Sequence, residues 1–171
     1  YACLNILTIT SIFIQMKKLL FTILAGAALF TMNLSKANAQ DYKTAAGLAI
    51  DFGDGATWVG PHIKHFFNPN GAIEGDILFG NSTTVLQALY LHHGAIQGAR
   101  GLKWNVGVGP GVALYKGGST FLIRPNVGLD YKISGAPLGL GLDWRPAWGF
   151  YDGGNDFNAA RFQIGFRYIF K

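Results

Sequence analysis

Cysteine, charge and long apolar runs are all scarce in this sequence, and each shortage removes a class of protein. The one cysteine, Cys3, lies at the extreme N-terminus. The rest of the chain therefore has no thiol nucleophile, no disulfide framework and no thiolate-bound metal. Charged residues make up only 13%, about half the usual share for a soluble domain. Half the residues are hydrophobic, yet no apolar run after residue 39 approaches the roughly 20 residues of a spanning helix. From residue 42 onward no stretch shows helical periodicity either. A disordered tail, a coiled coil and a polytopic helical membrane protein are excluded. The formal net charge of +5 is no nucleic-acid footprint. All nine acidic residues lie after position 39, Lys17, Lys18 and Lys36 lie before it, and no Lys/Arg cluster follows.

The N-terminus reads as an export address. Met16-Lys17-Lys18 supplies a positive n-region, and Leu19 to Phe30 an apolar core. Ala37-Asn38-Ala39 offers small residues at the two positions a signal peptidase reads, which sets cleavage before Gln40. Residues 1–15 are expected to be upstream, non-native sequence, 16–39 a signal peptide, and 40–171 a single β-barrel domain.

What fills that domain is alternation. Segments of strand length are separated by turn chemistry such as Gly53-Asp54-Gly55, Asn68-Pro69-Asn70-Gly71, Gly80-Asn81-Ser82 and Lys116-Gly117-Gly118. The spacing predicts eight strands, near 42–52, 57–67, 71–80, 83–93, 102–115, 120–133, 138–151 and 159–170. In the last four, one face runs from Leu102 and Trp104 through Phe121, Leu140 and Trp144 to Phe166, Tyr168 and Phe170 without a charge or amide. The other face carries the charges and most of the glycines. Strands 2 and 4, with His62, Lys64, His65 and Leu86 to Leu91, alternate poorly.

A soluble barrel would turn the apolar face inward. An eight-stranded lumen only just accommodates side chains, and Trp, Phe and Leu at every inward position would overfill it. The glycine-rich polar face suits the interior, so the apolar face must look outward, as in a transmembrane barrel. Aromatic residues sort toward the two ends: Phe67, Tyr90, Trp104, Tyr131, Tyr168 and Phe170 at one, Phe52, Phe79, Phe121, Trp148 and Phe150 at the other. The expected fold is an all-β, eight-stranded antiparallel up-and-down transmembrane β-barrel.

The end of the chain, Gln163-Ile-Gly165-Phe-Arg-Tyr168-Ile-Phe170, resembles the assembly signal of Gram-negative outer-membrane proteins. The departure is Lys171, where such chains commonly end on the aromatic. With the export segment and eight strands, the chain resembles small outer-membrane barrels of the OmpA/OmpX transmembrane-domain type. That resemblance implies delivery to the barrel-assembly machinery through the last strand and contact with outer-membrane lipid and lipopolysaccharide. The chain is expected to be a monomer in a Gram-negative outer membrane, with no cofactor, metal or nucleic-acid partner.

The lumen is expected to hold an ion-pair network of Asp51, Glu74, Asp76, Asp130 and Asp143 against Lys64, Lys103, Lys132, Arg124, Arg145, Arg161 and Arg167, because an unpaired enclosed charge is very costly. This supports a structural or surface-interaction role without catalysis, the outer connections being short, the longest from Tyr151 to Asn158. One alternative is a narrow pore for small polar solutes, since inward glycines leave volume unfilled. A weaker one is a lipid A acyl-modifying enzyme. It would use His62 or His65, Asp51 or Asp54, and Ser82, with access through a wall weakened by Pro61, Pro110, Pro125 and Pro146 on the outer face.

Overall fold

A computed structural model describes residues 42–170. Ten strands follow one another: β1 (Thr44–Gly53), β2 (Trp58–Phe66), β3 (Gly71–Gly80), β4 (Thr83–Ala95), β5 (Leu102–Tyr115), β6 (Gly118–Lys132), β7 (Leu138–Trp144), β8 (Ala147–Tyr151), β9 (Gly154–Asn158) and β10 (Arg161–Phe170). Each pairs antiparallel with its sequence neighbour up to β6–β7, and β1 pairs with β10 along its whole length, from Thr44↔Phe170 to Gly53↔Arg161. The sheet is thereby closed. β7 with β8, and β9 with β10, each form one interrupted stave, so ten strands make an eight-stranded barrel. β5, β6, β7 and β10 are built of residues whose alternation matches the pleat, which is why a single register satisfies both faces.

Three details differ from the sequence reading. The seventh stave is not continuous from 138 to 151 but breaks at Arg145–Pro146. Pro146 is buried in that break rather than placed on the outer face, whereas Pro61 and Pro110 do lie exposed on the outer face. The segment from Tyr151 to Asn158 is not a loop: β8 and β9 form a hairpin around Asp152–Gly153, with Gly153 at a φ of 103° that suits glycine.

The prolines share one structural correlate. The β2–β3 ladder skips from Val59↔Phe79 to His62↔Asp76, leaving Pro61 in the gap. The β4–β5 ladder skips from Gln87↔Gly111 to Tyr90↔Val108, leaving Pro110. Pro125 and Pro146 sit in the gap between Ile123↔Trp148 and Val127↔Trp144. A residue without an N–H cannot complete a ladder bond, and the wall opens by a bond or two wherever one occurs.

The outer surface is apolar around the barrel, with Leu48, Ile63, Ile73, Val108, Val127, Leu142 and Phe166 among its exposed residues. Aromatic pairs mark both ends: Phe67–Tyr90 and Tyr168–Phe170 near the N-terminal end, Phe52–Phe162, Phe121–Phe150 and Trp148–Phe150 near the opposite end.

Candidate functional site

Among the described residues titratable side chains converge in the lumen, and alternation puts them there. β3 turns Glu74 and Asp76 inward, β2 His62 and Lys64, β6 Arg124, Asn126 and Asp130, β7 Asp143, and β10 Arg161, Gln163 and Arg167; all are buried. Arg145, at the break after β7, also enters the interior.

Arg145 is the hub. Its guanidinium donates to Glu74 at 2.6 Å, Asp76 at 3.0 Å, Asp143 at 3.3 Å and Asn126 at 2.7 Å. It thus ties β3 to the opposite wall across the barrel. Toward the N-terminal end, Lys64 Nζ lies 3.0 Å from Glu74 and 2.6 Å from Asp130. Arg167 pairs with Asp130 and lies 3.6 Å from Glu74. Toward the other end, Asp51 accepts from Arg124 at 2.5 Å and from Arg161. Amides stitch these groups together: Gln87 donates to Asp76 at 2.6 Å and to Gln163 at 3.2 Å, and Asn105 donates to Asp143 at 3.1 Å. In a low-dielectric interior such pairs survive only when geometry and extra hydrogen bonds offset desolvation, and here carboxylates and cations alternate throughout.

Two apolar layers bracket this ionic one. Ala49, Leu78, Val85, Ala113 and Leu122 form a buried cluster with Trp58 packed against it, and Trp58 in turn lies 4.1 Å from the Arg161 guanidinium carbon. At the N-terminal end Phe66 packs edge-on against Tyr42, tilts against His93 at 4.7 Å and carries Lys103 over its ring at 5.3 Å. Inward apolar residues on β2 to β4 are the reason those strands alternate poorly: Phe66, Ala72, Leu78, Val85, Leu89 and Leu91 are all buried. Lys103 and Lys132 are half-buried at the N-terminal end, outside the sealed layer.

Glycine supplies space in this interior. A Cβ at Gly141 would sit 2.9 Å from Arg167 Nη2, and one at Gly128 would collide with Asp143 Oδ1. At these two positions the volume that glycine leaves is taken by ion-paired side chains. Glu74, Lys64, Arg124, Arg145 and Asp51 are 0% exposed, whereas a continuous water column would leave its lining accessible.

His62 and His93 are inward partners that charge counting passed over. His62 Nδ1 pairs with Asp76, and its Nε2 meets Arg167 at 3.2 Å. His93 Nε2 lies 2.8 Å from Asp130. Their strand parity, even on β2 and odd on β4, was the signal available. His92 is exposed on the other face, so the two adjacent histidines do not share a ligand. His62, Glu74 and Asp76 bring ligand atoms within 4.8 Å of one another, but Lys64, Arg145 and Arg167 already hold those carboxylates.

The residues weighed for acyl transfer are not brought together. His62 faces Asp76, His65 bonds Thr44 at 2.9 Å, Asp51 holds two arginines, and Ser82 lies in the exposed β3–β4 turn beside Asn81, both with positive φ. Within the terminal motif, Gln163 and Gly165 point inward, and Tyr168 and Phe170 are exposed outward.

No protein-family model matches the sequence, and no curated protein matches it. A solved structure titled "De novo design of transmembrane beta-barrels" is similar with a TM-score of 0.55 at 13% identity, covering 77% of this chain and 98% of that one. The shared feature is the fold. It is a closed eight-stranded antiparallel barrel.

Proposed function

We propose that the chain is an integral barrel of a Gram-negative outer membrane, of the small OmpA/OmpX type, with a structural or surface-interaction role. The observation that carries this reading is the inversion of polarity. Arg124, Arg145 and Lys64 are wholly buried while Leu142, Phe166 and Val127 are exposed by 50% or slightly more. Water would favour the reverse arrangement; a hydrocarbon surround favours this one. The similarity to a designed transmembrane barrel supports it, as does the outward Tyr168 and Phe170 of the terminal motif, the surface from which assembly machinery would read the last strand. Lipid and lipopolysaccharide are its immediate surroundings, and the pairing of β1 with β10, which closes the wall within one chain, supports a monomer.

A passive pore is disfavoured by the two apolar layers that bracket the ion pairs. Refolding into detergent tests membrane insertion: the folded barrel should migrate faster than its boiled form in electrophoresis and precipitate when detergent is removed. A monodisperse species in plain buffer would overturn it. Planar-bilayer recordings test the seal, with no discrete conductance steps expected, and regular steps would restore the pore.

A further inference from the structure

A closed barrel has no sheet edges, yet this chain carries one. β9 pairs with β8 alone and ends the strand order. On its far side β1 has already finished at Gly53, so nothing continues the sheet. The base of β9 is tied down, by Asp54 N donating to Ala160 O at 2.8 Å and Asn158 Nδ2 donating to Asp54 O at 3.2 Å. Above that anchor no described main-chain group pairs with residues 154–157 from the open side, and all four are exposed.

The hairpin register says which groups are offered. Tyr151 and Gly154 close a two-residue connection, so they form a hydrogen-bonded pair, as do Gly149↔Asp156 and Ala147↔Asn158. Asn155 and Phe157 are the alternate residues, and their N–H and C=O groups point away from β8. Phe157 extends this edge with an exposed ring stacked edge-on against Trp148. Among the described residues the charged surroundings are lopsided: Asp54, Asp152 and Asp156 are exposed at this end of the barrel, against Lys116 in the β5–β6 turn.

We propose that β9 is a docking edge for an extended, basic polypeptide segment that adds to it as a further strand. The main chain of Asn155 and Phe157 would supply the backbone bonds, Phe157 and Trp148 an apolar shelf for one face of the incoming strand, and the three carboxylates a preference for Lys or Arg. A second copy of this chain fits poorly, because antiparallel pairing of two β9 strands would bring Asp156 and Asp152 of one copy against those of the other. This inference rests on the proposed surface-interaction role.

The test uses the barrel in zwitterionic lipid nanodiscs, its insertion first confirmed by heat-modifiable migration. The probe is a fluorescent peptide of alternating Lys and Val, read by anisotropy against empty nanodiscs. The peptide should bind, and replacing each Lys by Glu should weaken binding by about tenfold or more. Asn155→Pro, which removes an outward N–H, should abolish binding while leaving barrel migration unchanged. Asp156→Lys, an exposed change that keeps the backbone intact, should also weaken binding and so covers the case in which the proline variant misfolds. Equal binding of Lys and Glu peptides, binding untouched by both variants, or dimerisation of the barrel through β9 would each overturn the proposal. Absence of peptide binding by an inserted barrel would do so without touching the membrane reading.

Discussion

Arg145 concentrates the energetics of the lumen in one side chain, because its guanidinium serves three carboxylates and an amide. Removing one partner of a buried network leaves the others charged and unsatisfied, at a typical cost of roughly 3–5 kcal/mol. Arg145→Met should therefore lower the urea midpoint of the refolded barrel sharply, whereas Lys116→Ala, at an exposed turn, should stay within about 0.5 kcal/mol. Near-equal midpoints for the two variants would mean that the network contributes little. Gly47 offers a backbone counterpart. A Cβ there would collide with the carbonyl oxygen of Phe166 across the β1–β10 seam. Gly47→Ala should thus impair closure of the barrel, seen as loss of the fast-migrating folded form, although the added methyl is small. Strand parity was the local signal for which charged residues share a face, and it did not separate the half-buried Lys103 and Lys132 from the buried Arg124, Arg145 and Asp130. The roles of His62, Gln87 and Asn105 were not legible, because neutral polar residues carry no sign to balance.

Among the strands, the prolines act alike: each falls where a ladder skips. Pro110→Val restores a donor opposite Ala88 and should raise stability by up to about 1 kcal/mol if the missing bond is the cause of the gap. Unchanged stability, with Ala88 and Leu89 amides exchanging at the same rate in both proteins, would place the cause in wall curvature instead. The eight-stave pattern was legible from alternation and turn residues, most clearly in β5, β6 and β10. The breaks at Arg145–Pro146 and at the base of β9 were not. Local periodicity passes through Arg145–Pro146, where only the neighbours decide whether a strand keeps its partner, while at the base of β9 the outward parity changes from Phe157 to Phe162. The β8–β9 hairpin escaped for the related reason that Gly154, Asn155 and Asp156 have turn composition, yet pair because β8 lies alongside.

For the whole molecule, polarity sets the medium. Leu142 lies midway along β7 on the outer face, 53% exposed. Leu142→Arg should destabilise the folded barrel by about 2–4 kcal/mol in a bilayer, the range for a cation near the midplane. The same substitution at Leu114, near the end of β5, should cost much less. Denaturant titrations in vesicles compare the two; equal costs would mean that no hydrocarbon slab surrounds the barrel. The same architecture stacks buried apolar, ionic and apolar groups along the interior.

Alternation along single segments was enough to establish an all-β barrel turned inside out, since the period of two is a local property of backbone geometry and low charge rules out a watered exterior. Closure decided the rest. Which carboxylate meets which cation, where apolar layers cap the lumen and which strand is left with an open edge depend on contacts between residues far apart in the chain. Those contacts exist only once β1 has met β10, and no local pattern encodes them.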